Sequence, residues 1–180
     1  SVADGRVYTM DRQVQPRETE RVICYHAETG RVLWTHSDPV SYGKLEYGSG
    51  PRAAPTVDRG RVYSLGALGR LVCLDARTGR LLFERSLQKQ FNGRLPTWGY
   101  AASPLVIGDT MYLVTPKPNY VYALDLTREG VIKWEFRPEI PELETAVRSA
   151  CCGAQTRGLT YADGRIFFAT LDGQVLALVR

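Results

Sequence analysis

The chain has 180 residues, of which 44% are hydrophobic and 23% are charged, and its formal net charge is +4. The basic residues are scattered singly, which argues against the clustered basic surface of a nucleic-acid-binding protein. No apolar run approaches the roughly 18 residues of a membrane span, no signal peptide is visible, and four cysteines are too few for a disulfide scaffold of this size.

The first predicted elements are short strands. DGRVYTM, from Asp4, predicts a glycine turn and then a strand with alternating apolar residues. CYHAETGRVLWTH, from Cys24, predicts a strand, a tight turn and an outer strand that carries Trp34. No strand is predicted before Asp4, so this first unit is expected to lack its first strand.

The second unit repeats this order with a short run in front of it. APTV (54–57) predicts a first strand, RGRVYSL from Arg59 the second, and CLDARTGRLLFER from Cys73 the third and fourth, with Phe83 at the position of the earlier tryptophan. GALG (66–69) predicts a hairpin turn rather than a phosphate-binding loop.

For one turn in this unit the sequence predicts specific hydrogen bonds. Asp75 and Thr78 are expected to close it by hydrogen bonds from the backbone to their side chains, with Gly79 at positive φ.

The third unit has the same four parts. SPLV (103–106), GDTMYLV from Gly108 and ALDLTREGVIKWEF from Ala123 predict four strands, and Trp134 lies on the last of them. The mixed acidic segment 138–149 then predicts a solvated excursion.

SACCGAQTRGLTY (149–161) leads into the first strand of the fourth unit, GLTY (158–161), which continues with DGRIFFA from Asp163 and ALVR from Ala177. It predicts three strands without an outer one. Its adjacent cysteines are the least common feature of the chain. They are either two reduced or separately buried thiols, or a disulfide between neighbours.

These parts recur about every 50 residues, and no unit shows a sustained helical period. Four-stranded units at such a period predict an all-β fold, a β-propeller of about three and a half blades, as part of a larger ring. The chain is predicted to be a single partial propeller domain, residues 1–180, with blades at roughly 1–38, 51–88, 101–137 and 157–180.

Several side chains have structural interpretations in such a fold. Trp34, Phe83 and Trp134 are expected to pack between blades. Cys24 and Cys73 are expected to be small buried residues, with a bridge between them as the alternative.

Trp98 has two alternative interpretations. It either anchors a loop or lines the axial mouth of the ring. Only two histidines are present, without zinc-ligand spacing.

The repeated pattern A/C-x-D-x-x-T-G-x-x-x-W resembles the tryptophan-docking motif of the quinoprotein superfamily, whose propellers usually have eight blades. Residues 21–106 resemble the non-enzymatic PQQ-like repeat branch, which includes outer-membrane assembly lipoproteins. Residues 107–178, with the segment CC-x4-R-G, resemble the pyrroloquinoline quinone (PQQ)-dependent alcohol dehydrogenases.

The second resemblance implies a cofactor site. In that family the adjacent cysteines form a vicinal disulfide over one face of PQQ, and an arginine approaches the quinone oxygens. It therefore implies that Cys151, Cys152 and Arg157 bind PQQ, and that the parent protein oxidises an alcohol in the periplasm. Arg157 as a structural arginine is the alternative.

The sequence also departs from the family. Gly153 and Thr156 replace an acidic residue and an asparagine, and Ala101 replaces a glutamate near the cofactor carboxylates. The family's calcium ligands and catalytic aspartate belong to later blades, so no catalytic or metal residue is predicted here. The alternative function is a non-catalytic scaffold in the cell envelope, and open blade edges predict self-association.

Overall fold

The computed structural model describes residues 1–43, 45, 50–91, 93–115, 120–139, 158–170 and 172–179. These residues form four separate antiparallel sheets, each built from strands consecutive in the chain. The sheets belong to two compact units, Ser1–Pro104 and Leu105–Arg180, with two sheets in each. Among the described residues, no helix combines the length and apolar character needed to cross a bilayer.

The first unit holds two four-stranded sheets. The strands of its first sheet are β1 (Val2–Ala3), β2 (Arg6–Gln13), β3 (Thr19–His26) and β4 (Val32–Pro39). The strands of its second sheet are β5 (Thr56–Asp58), β6 (Arg61–Leu65), β7 (Arg70–Asp75) and β8 (Leu81–Ser86), and a short helix α1 (Leu87–Gln90) follows.

The second unit holds one four-stranded and one three-stranded sheet. The strands of the third sheet are β9 (Leu105–Ile107), β10 (Thr110–Thr115), β11 (Tyr120–Asp125) and β12 (Val131–Phe136). Those of the fourth sheet are β13 (Thr160–Ala162), β14 (Arg165–Ala169) and β15 (Val175–Val179). The prediction of an all-β chain with about three and a half blades is confirmed.

The first blade does have a first strand, contrary to the sequence prediction. β1 pairs with β2, with Val2 opposite Val7, and the chain start is held by the Tyr8 N–H, which donates to the Ser1 carbonyl at 2.8 Å. Two residues are too short to show the alternation from which a strand is recognised. The fourth sheet has three strands among the described residues.

A row of three side chains crosses each complete sheet at the same level. In the first sheet Tyr8 pairs with Cys24, and Cys24 pairs with Trp34. The small side chain in the middle leaves room for the two rings to meet, at 5.9 Å between centroids. The third sheet repeats this with Tyr112 and Trp134, whose rings are 5.8 Å apart.

The last strand of each complete sheet has a β-bulge beside the aromatic residue. The register shifts between Cys24 and Tyr25 in the first sheet, and at the equivalent place in the second and third sheets. A bulge bends its strand and redirects the side chains that follow. Its recurrence next to Trp34, Phe83 and Trp134 indicates that it aims these aromatic side chains.

Trp34 shows what the aromatic residue does. Its indole N–H donates at 3.0 Å to the carbonyl of Ala76, in the turn that follows β7, and its ring belongs to a buried cluster with Val62, Val72 and Leu74 of the second sheet. Trp34 therefore docks the first sheet on the second, as predicted.

The two sheets of the second unit are joined by similar contacts. Trp134 packs on a buried cluster of Tyr112, Ala123 and Ile166, of which Ile166 belongs to the fourth sheet. The rings of Phe136 and Phe168 meet edge to face at 6.0 Å. The predicted inter-blade packing of Trp134 is therefore confirmed.

A buried carboxylate also joins the first two sheets. Glu20, on β3, is 6% exposed and accepts hydrogen bonds from the Tyr42 hydroxyl and, at 2.8 Å, from the Ala67 N–H. A β-carbon on Gly66 would lie 2.1 Å from the carboxylate. A side chain at position 66 would therefore displace the Glu20 carboxylate from the turn at 66–69.

Candidate functional site

The three residues predicted to bind a cofactor, Cys151, Cys152 and Arg157, lie outside the described residues, as do Gly153 and Thr156. The described chain resumes at Gly158. Leu159 packs against the buried cluster of Tyr112, Ala123 and Ile166, and β13 follows directly. Packing at Leu159 therefore holds the residues that come directly before β13.

The segment before β9 is well described and includes Ala101. The Ser103 hydroxyl accepts a hydrogen bond from the Ala54 N–H at 2.9 Å, and Thr56 donates to the Pro104 carbonyl at 2.5 Å. The residues that lead into β9 therefore lie beside those that lead into β5. Ala101 is partly buried there, and its methyl group supplies no carboxylate.

Cys24 and Cys73 are not bonded to each other, which confirms the prediction of two buried cysteines. Both side chains are 0% exposed, and each lies in the middle of an aromatic row. Burial raises the pKa of both thiols, to about 11 for Cys73. A buried thiol with a raised pKa is unreactive.

The described histidines do not form a metal site. His36 Nε2 lies 3.1 Å from the Asp38 carboxylate, and Asp38 also pairs with Arg70, which in turn pairs with Glu84. This network connects β4 of the first sheet with β7 and β8 of the second. Over the described part of the chain, no group of three or more His, Cys, Asp or Glu side chains could hold a metal ion.

Trp98 lies in the loop at 96–99. The Gly99 N–H donates to the Pro96 carbonyl at 2.9 Å and closes that loop, and the Tyr100 N–H donates to the Ala67 carbonyl at 2.8 Å. Trp98 is partly buried. The loop is thus fixed to the turn at 66–69, and Trp98 stays predicted as either a loop anchor or a residue that lines the axial mouth of the ring.

The described residues form three four-stranded blades and one three-stranded blade, and aromatic residues dock the two sheets of each unit on each other. These features define a β-propeller chain of the tryptophan-docking type. The family model PQQ_2, described as outer membrane protein assembly factor BamB, matches residues 18–180. The chain belongs to this family.

Solved structures show the same fold. A quinohemoprotein alcohol dehydrogenase from Comamonas testosteroni is similar over 94% of this chain and 28% of its own, with a TM-score of 0.67 and 18% identity. BamB from Moraxella catarrhalis is similar over 89% of this chain and 42% of its own, with a TM-score of 0.57 and 18% identity.

A curated relative is closer in sequence over a shorter stretch. The lanthanide-dependent methanol dehydrogenase of Methylacidiphilum fumariolicum (strain SolV) is 51% identical over 81 residues, which is 44% of this chain and 13% of that protein. The chain therefore spans about one eighth of the length of this relative.

Proposed function

We propose that this chain is part of a PQQ-dependent alcohol dehydrogenase-like quinoprotein and contributes one wall of the cofactor site. The observation that carries the proposal is the 51% identity with a methanol dehydrogenase over 81 residues. The pair Cys151–Cys152 and the guanidinium of Arg157 would form the wall. Both units would belong to one partial propeller domain.

The chain's residues would bind and orient the cofactor. A disulfide between adjacent residues is a rigid, polarisable surface suited to one face of a flat quinone. Forming it removes two protons and two electrons from the thiols, which a protein disulfide oxidant of the periplasm would accept. Arg157 would hold negative charge at the quinone oxygens. When bound, PQQ supplies the hydride-accepting chemistry.

The side chains present fit this role only in part. Leu159, which follows Arg157 by two positions in the sequence, packs against the buried cluster of Tyr112, Ala123 and Ile166, and β13 comes directly after it. Ala101, however, provides no carboxylate. Among the described residues, no group of three or more His, Cys, Asp or Glu side chains could hold a metal ion.

Thiol counting tests the disulfide. Cys24 and Cys73 are unbonded, so a denatured but unreduced chain should take up two alkyl groups if Cys151 and Cys152 are bonded. After reduction it should take up four. A Cys151→Ser variant should take up three without reduction. Four groups on the unreduced wild-type chain would contradict the vicinal disulfide.

Cofactor binding tests the site as a whole. PQQ with calcium, and in parallel PQQ with a lanthanide, is added to the chain, and retention of quinone absorbance through gel filtration is measured. Arg157→Gln should reduce retention, while Arg165→Gln, an exposed arginine on β14, serves as the matched control. Ala101→Glu should increase retention by restoring a carboxylate.

A second candidate is a cofactor-free scaffold that binds proteins of the cell envelope. It is favoured by the similarity to BamB over 89% of the chain and by the alanine at position 101. Failure of both the wild-type chain and Ala101→Glu to retain PQQ would favour the scaffold. Both candidates place the parent protein in the periplasm.

A further inference from the structure

The only α-helix among the described residues belongs to the second blade. α1 follows the outer strand β8 directly and is an addition to the four-strand repeat. Leu87 of this helix is 1% exposed, and its N–H donates to the Gly69 carbonyl at 2.8 Å. The Gln88 side chain donates to the Leu68 carbonyl at 2.7 Å. α1 is therefore fixed on the turn at 66–69.

A pocket of about 410 Å³ lies between this helix, the end of β8 and the start of β7. Its described wall includes six polar side chains, Arg70, Glu84, Arg85, Ser86, Lys89 and Gln90. The volume lies within the range of ligand pockets, roughly 300–1,000 Å³. Because α1 is already held in place, binding here would cost little ordering of the chain.

The charges around this pocket are not balanced. Arg70 pairs with both Glu84 and Asp38, so the one carboxylate among the described wall residues is already neutralised. Arg85 is oriented by a hydrogen bond to the Glu84 carbonyl at 2.8 Å, and Lys89 is exposed. Since Arg85 and Lys89 add two positive charges to the ion-paired group, the pocket as a whole stays positive.

Two neutral side chains add hydrogen-bonding groups to the wall. The Ser86 N–H donates to the side-chain oxygen of Gln90 at 2.8 Å, and the Ser86 hydroxyl oxygen accepts from the backbone N–H of Lys89 at 3.3 Å. With these oxygens engaged inside the chain, the hydroxyl hydrogen of Ser86 and the NH2 group of Gln90 can act as donors. The wall therefore combines two cations with two neutral donors, which is a set suited to the oxygens of an anion.

We propose that this pocket binds a small organic anion through a phosphate or carboxylate group held by Arg85 and Lys89. A guanidinium and an ammonium form strong, charge-assisted hydrogen bonds with either group. Ser86 and Gln90 would donate to the remaining oxygens. The proposal uses none of the residues predicted to bind PQQ, and it holds for either function proposed above.

Isothermal titration calorimetry of the full chain with inorganic phosphate, and separately with citrate, tests the pocket. Low ionic strength is used because exposed charges are then least screened. We expect saturable binding of at least one probe, with one probe molecule per chain. Binding of phosphate alone would assign a phosphate group to the ligand, and binding of citrate alone a carboxylate group. Binding of neither probe would overturn the proposal.

Variants locate the bound probe. Lys89→Gln and Arg85→Gln should each weaken binding about five- to tenfold, because each removes a charge-assisted contact. Glu84→Gln should instead strengthen binding, since it removes a negative charge from the wall while Arg70 keeps its pair with Asp38.

Arg80→Gln is the matched control, because Arg80 is exposed and lies just before β8, at the end of that strand away from the pocket. It removes the same charge from the same sheet and should leave the affinity unchanged. Equal weakening by Arg80→Gln and Lys89→Gln would overturn the proposal, since it would show a general attraction of a basic chain for anions. Hydrogen exchange gives an independent readout, because a bound probe should slow exchange within residues 84–90.

Discussion

At the scale of single residues, the Ala76 carbonyl lies at the centre of the contact between the first two sheets. It accepts hydrogen bonds from the Trp34 indole at 3.0 Å, the Tyr8 hydroxyl at 3.2 Å and an Arg6 guanidinium N–H at 3.1 Å. Three donors from the first sheet thus meet one acceptor of the second. The aromatic motif supplies only one of them, and the other two were not foreseen from the sequence.

Substitutions of Trp34 should separate packing from hydrogen bonding. Trp34→Ala should lower the free energy of unfolding by about 3–5 kcal/mol, because it leaves a cavity in a buried cluster. Trp34→Phe should cost less, about 1–2 kcal/mol, because the Ala76 carbonyl keeps its other two donors. Urea unfolding followed by circular dichroism measures both. Equal losses for the two variants would contradict the assigned role of the ring.

The raised pKa of Cys73 gives a pH-dependent prediction. Burial raises it to about 11 from an ordinary value of 9.0. Between these values the unfolded chain has released a proton that the folded chain keeps, so stability should fall as the pH rises through this range. Cys73→Ala removes the titrating thiol. Alanine is expected to fit at position 73, because Ala123 occupies the equivalent position in the third sheet.

The free energy of unfolding of wild type and Cys73→Ala is therefore compared at pH 7.5, 9 and 10.5. The decline of the wild type should be steeper, by at most about 1.4 kcal/mol per pH unit. Parallel declines would show that the thiol is not protected in the folded chain. Groups that titrate at alkaline pH and do not interact with Cys73 are present in both proteins and cancel in the comparison. Tyr63 is the exception, because its pKa is raised by burial and then by Cys73, so part of the measured difference belongs to the Cys73–Tyr63 pair.

At the scale of elements, the turn between the third and fourth strands has two functions. In the second sheet the Asp75 carboxylate accepts hydrogen bonds from the Thr78 N–H at 2.8 Å and the Thr78 hydroxyl at 2.7 Å, and these bonds lower its pKa. Gly79 has φ of 73°. The predicted turn is confirmed, and it also receives the ring of Trp34.

The close approach of Trp34 makes a glycine comparison informative. A β-carbon on Gly79 would lie 2.6 Å from the Trp34 ring, whereas one on Gly30 would have nothing within 4 Å. The two glycines occupy equivalent turns with φ of 73° and 67°, so the backbone cost of alanine should be similar at both. Gly79→Ala should therefore be more destabilising than Gly30→Ala by about 1–3 kcal/mol, as measured by thermal or urea unfolding.

The sequence predicted the strands and their order because apolar alternation and glycine turns are local signals. The β-bulges were not predicted, since a bulge is a relation between two strands and leaves no distinct composition. The Glu20 contact was missed for a similar reason. Its donor at Ala67 is far away in the chain, and neither residue has a motif of its own.

At the scale of the whole molecule, fold and function were predictable to different degrees. The repeat determines four blades because each blade must bury its apolar rows against a neighbour. The cofactor prediction depends on Cys151, Cys152 and Arg157, which do not recur in the repeat and are implied by the family resemblance alone. Periodicity therefore predicts architecture, while a site made of unrepeated residues needs direct chemical tests.

The uneven burial of the sheets predicts uneven protection from hydrogen exchange. β10 is buried at every position and β7 is buried at its four central residues, whereas β13 is exposed throughout and β15 is at most partly buried. Local opening costs less free energy where few side chains are buried. Amides in β7 and β10 should therefore exchange slowest, and those of β13 and β15 fastest, in native-state exchange followed by mass spectrometry. Uniform protection across all four sheets would mean that they open only together, as one cooperative unit.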